Sequence, residues 1–124
     1  MNDPTIGQLR TLSDELLPIA VEIINLFREA GIPLGVVSNG ARRSRATQTK
    51  LVGTGRSATL NSAHLTGDAV DFDVLGFNRD SLPPIFFQVL GQIGESYGLT
   101  WGGRWSRPYD PGHFELPKSL RQLA

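Results

Sequence analysis

The settings of the two histidines constrain this chain more than any other feature of its sequence. His64 is followed by a glycine at position 67 and by Asp71, and His113 follows Asp110 across a Pro-Gly pair. Each imidazole therefore has a carboxylate at short range and lies among glycines rather than in an apolar run. Two imidazoles and one carboxylate are the ligand set of a catalytic zinc site that keeps one position open. A second carboxylate beside such a site can serve hydrolysis as the base.

The apolar pattern predicts an α+β fold in one domain over residues 1–124, with a small antiparallel sheet packed against two long helices. The first long helix is expected over about 13–30, and the second is expected to be capped by Ser81 and to end at Gly98. A short polar helix is expected over 44–52. Short apolar runs predict strands at 32–38, 69–75, 100–101 and 113–116. The buried stripe of the second helix is predicted to be Leu82, Ile85, Phe86, Val89, Leu90 and Ile93.

The strand at 69–75 leaves one choice of ligand open. Asp71 and Asp73 point to the same side of this strand, so spacing alone does not decide which of them joins His64. A turn at residue 67 would bring His64 and the strand carboxylates to one edge of the sheet. The alternative is a hydrogen-bonded loop histidine beside two solvated carboxylates. Taken alone, Asp110 is an aspartate of the kind that commonly occupies a Pro-Gly turn. It becomes a candidate base because His113, like His64, has a carboxylate nearby and lies among glycines.

Charge and cysteine content exclude several classes of protein. Twelve basic residues balance twelve acidic ones, so the formal net charge is zero, which argues against nucleic-acid partners and anionic membranes. The chain has no cysteine, which excludes disulfides, thiolate metal sites and a cysteine nucleophile. No segment is expected to insert into a membrane, and the N-terminus lacks the pattern of a secretory signal. A local cluster of arginines is formed by Arg42, Arg43, Arg45 and Arg56.

Two further groups of residues have both a structural and a functional interpretation. Trp101 and Trp105 flank a glycine pair, and they either pack in the core or line a cleft that substrate backbone can approach. Arg43, Gln48 and Ser57 either belong to a solvated helix face or form a fork of donors for a peptide backbone or carboxylate.

Taken together, these motifs resemble the zinc peptidases of the D-alanyl-D-alanine carboxypeptidase group, peptidase family M15. The motifs are Ser62-x-His64-x-x-Gly67-x-Ala69-x-Asp71, Trp101-Gly102-Gly103-x-Trp105 and Asp110-x-x-His113-Phe114. The stretch 36–44, with Gln48, Leu51 and 55–57, is also similar to the family, so that the resemblance covers about 32–116. Within the family, the chain most resembles phage endolysins that cleave the L-alanyl-D-glutamate bond of peptidoglycan stems.

The resemblance implies one zinc ion per chain, held by His64, Asp71 and His113, with Asp110 as the base. It thereby favours Asp71 over Asp73. It also implies a set of substrate-binding residues, for which we take Arg43, Gln48, Ser57, Ser62 and Trp101. The family motif has a single arginine where this chain has two in succession, Arg42 and Arg43. If the chain is aligned to the motif one position earlier, the substrate-binding arginine is Arg42 instead of Arg43. If Asp110 were only a turn residue, Glu115 would be the next candidate for the base.

The expected function is that of a zinc metallopeptidase that hydrolyses peptidoglycan stem peptides in endolysin-like cell-wall lysis. The alternatives are a D-Ala-D-Ala carboxypeptidase or dipeptidase, and a non-catalytic cell-wall-binding module of the same fold. We expect a monomer whose partner is the peptidoglycan stem peptide. The protein is expected to be made in the cytoplasm without a signal peptide and to act on the cell wall after release by a separate system.

Overall fold

A four-stranded antiparallel sheet forms the centre of the computed structural model, which describes residues 3–55, 57, 59, 62–106 and 108–121. Arg56 of the arginine cluster lies outside the described residues. The strands are β1 (Leu34–Val36), β2 (Ala69–Val74), β3 (Thr100–Trp101) and β4 (His113–Glu115). They lie in the order β1-β2-β4-β3, so that β2 and β4 are the central pair. The predicted α+β class, with a small antiparallel sheet, is confirmed.

Within the described residues, four α-helices accompany the sheet: α1 (Thr5–Leu9), α2 (Leu16–Glu29), α3 (Arg45–Gly53) and α4 (Pro84–Ser96). The long helices α2 and α4 contact β1 and β3, respectively. The apolar face of α2 is buried in the core, as its helical spacing predicts. Helix α3 begins where it was predicted, because the Ser44 hydroxyl accepts a hydrogen bond from the Thr47 amide at 3.1 Å. Among the described residues, no helix is both long and apolar enough to cross a membrane.

The buried face of α4 differs from the predicted stripe. Leu90 is buried as predicted, and Leu82, Phe86 and Ile93 pack partly buried against the core, but Ile85 and Val89 are 60% and 42% exposed. The other buried residues of the helix, which the stripe missed, are Phe87, Gly91 and Gly94. A Cβ atom at Gly91 or Gly94 would lie 2.3 Å from the ring of Trp101 or Phe114, respectively. The helix thus approaches the sheet through its glycines, which a count of apolar side chains does not detect.

The start of α4 also differs from the prediction. Ser81 ends a short 3-10 helix, Arg79–Ser81, and the α-helix begins only after Pro83. Pro84 occupies the first turn, where a missing amide hydrogen costs no helical hydrogen bond. Ser81 is therefore not the N-cap of this helix.

Helix α1 was not predicted, and it protects the edge of the sheet. Strand β1 lies at one end of the strand order, where backbone groups have no neighbouring strand. The Thr5 hydroxyl accepts a hydrogen bond from the Val36 amide at 3.1 Å. On the same strand, the carbonyl of Leu34 accepts from Arg28 Nε at 2.8 Å. The first helices of the chain therefore supply partners that a fifth strand would otherwise provide.

Candidate active site

The central strand pair brings one carboxylate and one imidazole side by side. Val70 and Phe72 are fully buried in β2, so the intervening Asp71 projects from the opposite face of the sheet. In the antiparallel register Asp71 lies directly across from His113 of β4. Asp71 Oδ1 is 2.9 Å from His113 Nδ1. The contact thus follows from strand alternation together with the β2–β4 register.

The second imidazole reaches the same carboxylate from a 3-10 helix, Ala63–Thr66, that precedes β2. The Ser62 hydroxyl caps this helix by accepting a hydrogen bond from the His64 amide at 3.1 Å. Gly67 ends it with a φ of +73°, and a Cβ atom at this position would lie 2.7 Å from the Thr11 carbonyl oxygen. His64 Nε2 lies 3.3 Å from Asp71 Oδ2. The seven-residue spacing therefore corresponds to a turn and a strand, as its sequence context indicated.

Hydrogen bonds on the far side of each ring select the nitrogen that faces the cluster. His64 Nδ1 lies 2.6 Å from the Ala41 carbonyl oxygen, which can only accept a hydrogen bond. His113 Nε2 lies 2.7 Å from Glu115 Oε1. With a metal bound, these partners would leave His64 Nε2 and His113 Nδ1 as the lone-pair nitrogens, which is the arrangement that orients metal-binding imidazoles.

The three side chains fit a zinc ion. One ligand atom from each of His64, Asp71 and His113 lies within 4.8 Å of the other two. The two imidazoles are almost fully buried, with 2% and 5% exposure, and the cluster opens on one side into a cleft of about 410 Å³. Two nitrogen donors, one carboxylate and an open side match the donor set of catalytic rather than structural zinc.

The protonation of the cluster reflects these contacts. Burial alone would raise the pKa of Asp71, but hydrogen bonds from His113 and His64 hold it well below its usual range. Burial alone would lower the pKa of His113, but the hydrogen bonds and negative charges of Asp71 and Glu115 raise it to about 9. In the absence of metal, the protonated imidazole of His113 therefore supplies the positive charge between the carboxylates of Asp71 and Glu115.

Asp110 lies at the rim of the cluster. Its Oδ2 is 4.0 Å from His113 Nδ1, and its carbonyl oxygen accepts a hydrogen bond from the His113 amide at 3.1 Å. Burial and the charge of Asp71 raise the pKa of Asp110 above its ordinary value. A carboxylate with a raised pKa, close to the metal ligands but outside the set, has the position that a general base requires.

The glycines of the Trp-Gly-Gly-x-Trp motif let this turn pack closely. The Asp110 amide donates to the Gly102 carbonyl at 3.0 Å, and a Cβ atom at Gly102 would lie 2.3 Å from the Asp110 carbonyl oxygen. A Cβ atom at Gly103 would lie 2.2 Å from the ring of Trp101. The motif therefore supports the turn that carries Asp110, in addition to its packing role.

The two tryptophans of the motif have different surroundings. Trp101 is 7% exposed, lies against α4 and donates its indole hydrogen to the Pro111 carbonyl at 2.8 Å. Trp105 lines the cleft, with its ring centroid 5.0 Å from that of His113. The structure thus places Trp101, which was expected to bind substrate, in the core, and it places Trp105 on the cleft wall instead.

Arg43 and Asp110 both line the cleft. Arg43 Nη2 lies 2.8 Å from Asp71 Oδ2, and Arg43 Nη1 donates to Gln48 Oε1 at 3.2 Å. Gln48 is fully buried and donates in turn to Ser57 Oγ at 2.7 Å. Gln48 therefore positions Arg43 from behind rather than lining the cleft. Ser57 and Ser62 both line it.

The neighbouring arginine faces away from the cluster. Arg42 donates from Nε to the Thr11 carbonyl at 3.0 Å and from Nη2 to the Thr66 carbonyl at 2.9 Å. These contacts connect the segment before α2 to the 3-10 helix that carries His64. Of the two adjacent arginines, the structure thus places Arg43, and not Arg42, at the cleft.

Asp73, the other candidate carboxylate of β2, has a separate partner. It forms a two-point ion pair with Arg79, with Oδ1 at 3.0 Å from Nε and Oδ2 at 3.1 Å from Nη2. Arg79 itself lies outside every motif of the sequence, and sequence reasoning missed it. Sequence reasoning considered Glu115 only as a substitute base, although its position two residues after His113 on one strand face indicates that they are neighbours. Glu115 also pairs with Arg121.

Comparisons with known proteins agree with this geometry. Residues 55–116 match the family described as D-alanyl-D-alanine carboxypeptidase, within peptidase family M15. Among solved structures, the chain is similar to the L-Ala D-Glu endopeptidase ChiX of Serratia marcescens, with 29% identity and a TM-score of 0.65. That similarity covers 94% of this chain and 89% of the other. A search of curated proteins found no match.

The matched segment contains all three candidate metal ligands and Asp110. The family model spans half of the chain, and the structural similarity extends over nearly all of it. The chain therefore belongs to the D-alanyl-D-alanine carboxypeptidase family of zinc peptidases, peptidase family M15.

Proposed function

We propose that this protein is a zinc endopeptidase that hydrolyses the L-alanyl-D-glutamate bond of peptidoglycan stem peptides. The observation that carries the proposal is the cleft in which His64, Asp71 and His113 converge beside a separate carboxylate, Asp110. The similarity to an L-Ala D-Glu endopeptidase over nearly the full length of both chains supports this choice of bond.

His64 Nε2, a carboxylate oxygen of Asp71 and His113 Nδ1 would hold the zinc ion. When bound, zinc polarises the scissile carbonyl and makes water at the site more acidic. On the side of each ring that faces away from the cluster, His64 is hydrogen-bonded to the Ala41 carbonyl and His113 to Glu115. These bonds keep both rings in the required orientation.

Asp110 acts as the general base and then as the general acid. Its Oδ2 accepts a proton as the water oxygen bonds to the carbonyl carbon of the substrate. The same carboxyl group then delivers that proton to the departing amine nitrogen when the C–N bond breaks. Its raised pKa favours the first step, because a carboxylate with a pKa nearer to the working pH is a stronger base.

Arg43 orients a carboxylate of the stem peptide. Its guanidinium borders the cleft and is only 12% exposed, so that its charge acts in a partly desolvated setting. Gln48 and the Asn39 carbonyl, which accepts from Arg43 Nε at 2.6 Å, hold the side chain in place. Pre-organisation of this kind reduces the entropy lost when substrate binds.

A D-Ala-D-Ala carboxypeptidase or dipeptidase is the second candidate, because the matched family carries that description. The two activities leave different products. An endopeptidase releases fragments with a new N-terminal D-glutamate and leaves L-alanine as a new C-terminus. A carboxypeptidase shortens the stem by one terminal D-alanine and creates no D-glutamate N-terminus.

The test is incubation of the zinc-loaded protein with purified peptidoglycan, followed by mass spectrometry of the released ends. We expect new N-terminal D-glutamate, and we expect the Asp110→Asn variant to release far less of it. Release of D-alanine alone would replace the endopeptidase proposal with the carboxypeptidase alternative. Binding to the wall without any cleavage would support the non-catalytic module. Loss of turbidity of cells with permeabilised envelopes would extend the result to an endolysin-like role.

A further inference from the structure

Beyond the metal ligands, one ion pair contacts the side of the cleft that carries the base. We propose that Arg79, anchored by Asp73, is a positioning residue for Asp110 and holds the Asp110 carboxylate at the cleft. The inference rests on the proposed function, because it assigns Asp110 the role of the base. It gives separate roles to the two carboxylates that strand β2 presents on one face.

The contacts of Arg79 connect the two aspartates through one planar group. Nε and Nη2 are held by Asp73 at 3.0 and 3.1 Å. The remaining terminal nitrogen, Nη1, lies 3.9 Å from Asp110 Oδ1. A guanidinium presents its donors in a rigid fork, so fixing one edge on Asp73 also fixes the direction of Nη1. Asp110 Oδ1 therefore faces Arg79, whereas Oδ2 faces His113.

The residues around Arg79 contact its guanidinium group and leave space for it. The guanidinium carbon lies 5.5 Å from the centroid of the Phe87 ring on α4, and Nη2 also approaches the Phe72 carbonyl oxygen at 3.4 Å. A Cβ atom at Gly112 would lie 2.7 Å from Arg79 Nη2 and 2.6 Å from the Phe72 carbonyl oxygen. The glycine two residues after Asp110 thus leaves the space in which Arg79 packs beneath the turn.

The same contacts argue against a substrate-binding role for Arg79. Asp73 holds Nε and Nη2, and the remaining nitrogen, Nη1, is directed at Asp110. A substrate carboxylate would therefore have to compete with Asp110 for it. An arginine that bound the substrate carboxylate directly would be expected to affect KM, whereas one that orients the base affects kcat.

The first test separates these roles by steady-state kinetics on a defined stem peptide. Arg79→Gln and Asp73→Asn are expected to lower kcat by ~10–100-fold, the scale on which small misplacement of a catalytic group acts. KM should stay within about 2-fold and zinc content at one ion per chain, since both residues line the cleft but are assigned to Asp110 rather than to the substrate or the metal. The matched control is Arg104→Gln. Arg104 forms the same kind of two-point pair with Glu95 and lies 5.5 Å from the Trp101 ring, but outside the cleft, and its loss should change neither constant.

Arg79→Lys provides a second variant if the glutamine variant does not fold. It retains the positive charge but lacks the fork that spans both aspartates, so a kcat between those of wild type and Arg79→Gln is expected. Wild-type kcat in a folded Arg79→Lys or Arg79→Gln protein would overturn the proposal. So would a rise in KM at constant kcat, or a loss of zinc.

The second test does not depend on turnover. Thermal melting of Arg79→Gln, Asp110→Asn and the double variant should give shifts in Tm that are not additive, because residues in contact couple. Additive shifts would overturn the contact on which the proposal rests. If wild-type protein cleaved no stem peptide, the proposed function would fail on its own, and this melting experiment would still decide whether Arg79 holds Asp110.

Discussion

Glu115→Gln is expected to weaken zinc binding although Glu115 is not a metal ligand. Its Oε1 accepts the hydrogen of His113 Nε2 at 2.7 Å, and Arg121 holds the carboxylate from the other side. Loss of such an orienting carboxylate typically lowers metal affinity by ~10–100-fold, which is about 1.4–2.7 kcal/mol. Glutamine retains an oxygen that can accept the same hydrogen bond and loses only the charge. We therefore expect an effect near ~10-fold, the lower end of that range.

The pH of the measurement determines how much of this loss is visible. Glu115 is also one of the two carboxylates that raise the pKa of His113 to about 9 in the metal-free protein. Below this pH zinc must displace a proton from His113, and apparent affinity rises by about 10-fold per pH unit as pH increases. Glu115→Gln lowers the pKa of His113 and so reduces this competition. The two effects oppose each other at pH 7, whereas at pH 9 competition by the proton is only about 2-fold and the loss of orientation dominates.

The assay is competition for zinc with a chelator of known affinity, at pH 7 and at pH 9, for wild type and Glu115→Gln. The control is Glu95→Gln, which also removes a carboxylate from a pair with an arginine, but far from the cluster. We expect a smaller loss of affinity at pH 7 than at pH 9, and no change for the control. Equal affinities of wild type and Glu115→Gln at pH 9 would show that Glu115 does not orient His113.

Three further predictions concern the remaining polar groups of the cleft. Asp71→Ala should lose most of the zinc, whereas Asp73→Ala should retain it; metal analysis decides, and the reverse result would exchange the two roles. Asp110→Asn should keep zinc and the fold but lose ~10²–10⁴-fold in hydrolysis, and near-normal cleavage would exclude it as the base. Arg43→Ala should lower kcat/KM for a stem peptide, since a hydrogen bond to a charged group is worth about 1.5–3 kcal/mol. Arg42→Ala should lower Tm instead, and a wild-type rate for Arg43→Ala with a reduced rate for Arg42→Ala would favour the alignment that uses Arg42.

Much of the fold could be predicted because its elements have clear local periods. Alternation in β2 separates Val70 and Phe72 from the two aspartates, and helical spacing identifies the buried face of α2. The predicted face of helix α4 was right for Leu90 and wrong for Ile85 and Val89, which are exposed. Its contact surface consists of Gly91 and Gly94, and only the rings of Trp101 and Phe114, distant in sequence, show why the helix turns that way.

In the candidate site, too, some residues could be predicted from the sequence and others could not. His64, Asp71, Asp110 and His113 could be chosen from the sequence, because their residue types and spacing match a known motif. Trp101 could not be distinguished from Trp105, since both flank the same glycines and only packing against α4 separates them. Arg79 could not be found, because nothing in its own sequence neighbourhood indicates the Asp110 turn.

The sequence by itself determined which chemical groups are available: two imidazoles, carboxylates on one strand face, and a turn that ends at His113. Only the tertiary structure decided which atom of each group faces which partner. The β2–β4 register places Asp71 opposite His113, and the carbonyl of Ala41 and the carboxylate of Glu115 select the nitrogens that remain for a metal. The physical reason is that periodicity is a property of neighbouring residues, whereas hydrogen-bond geometry at the site depends on contacts between residues up to 42 positions apart in the chain.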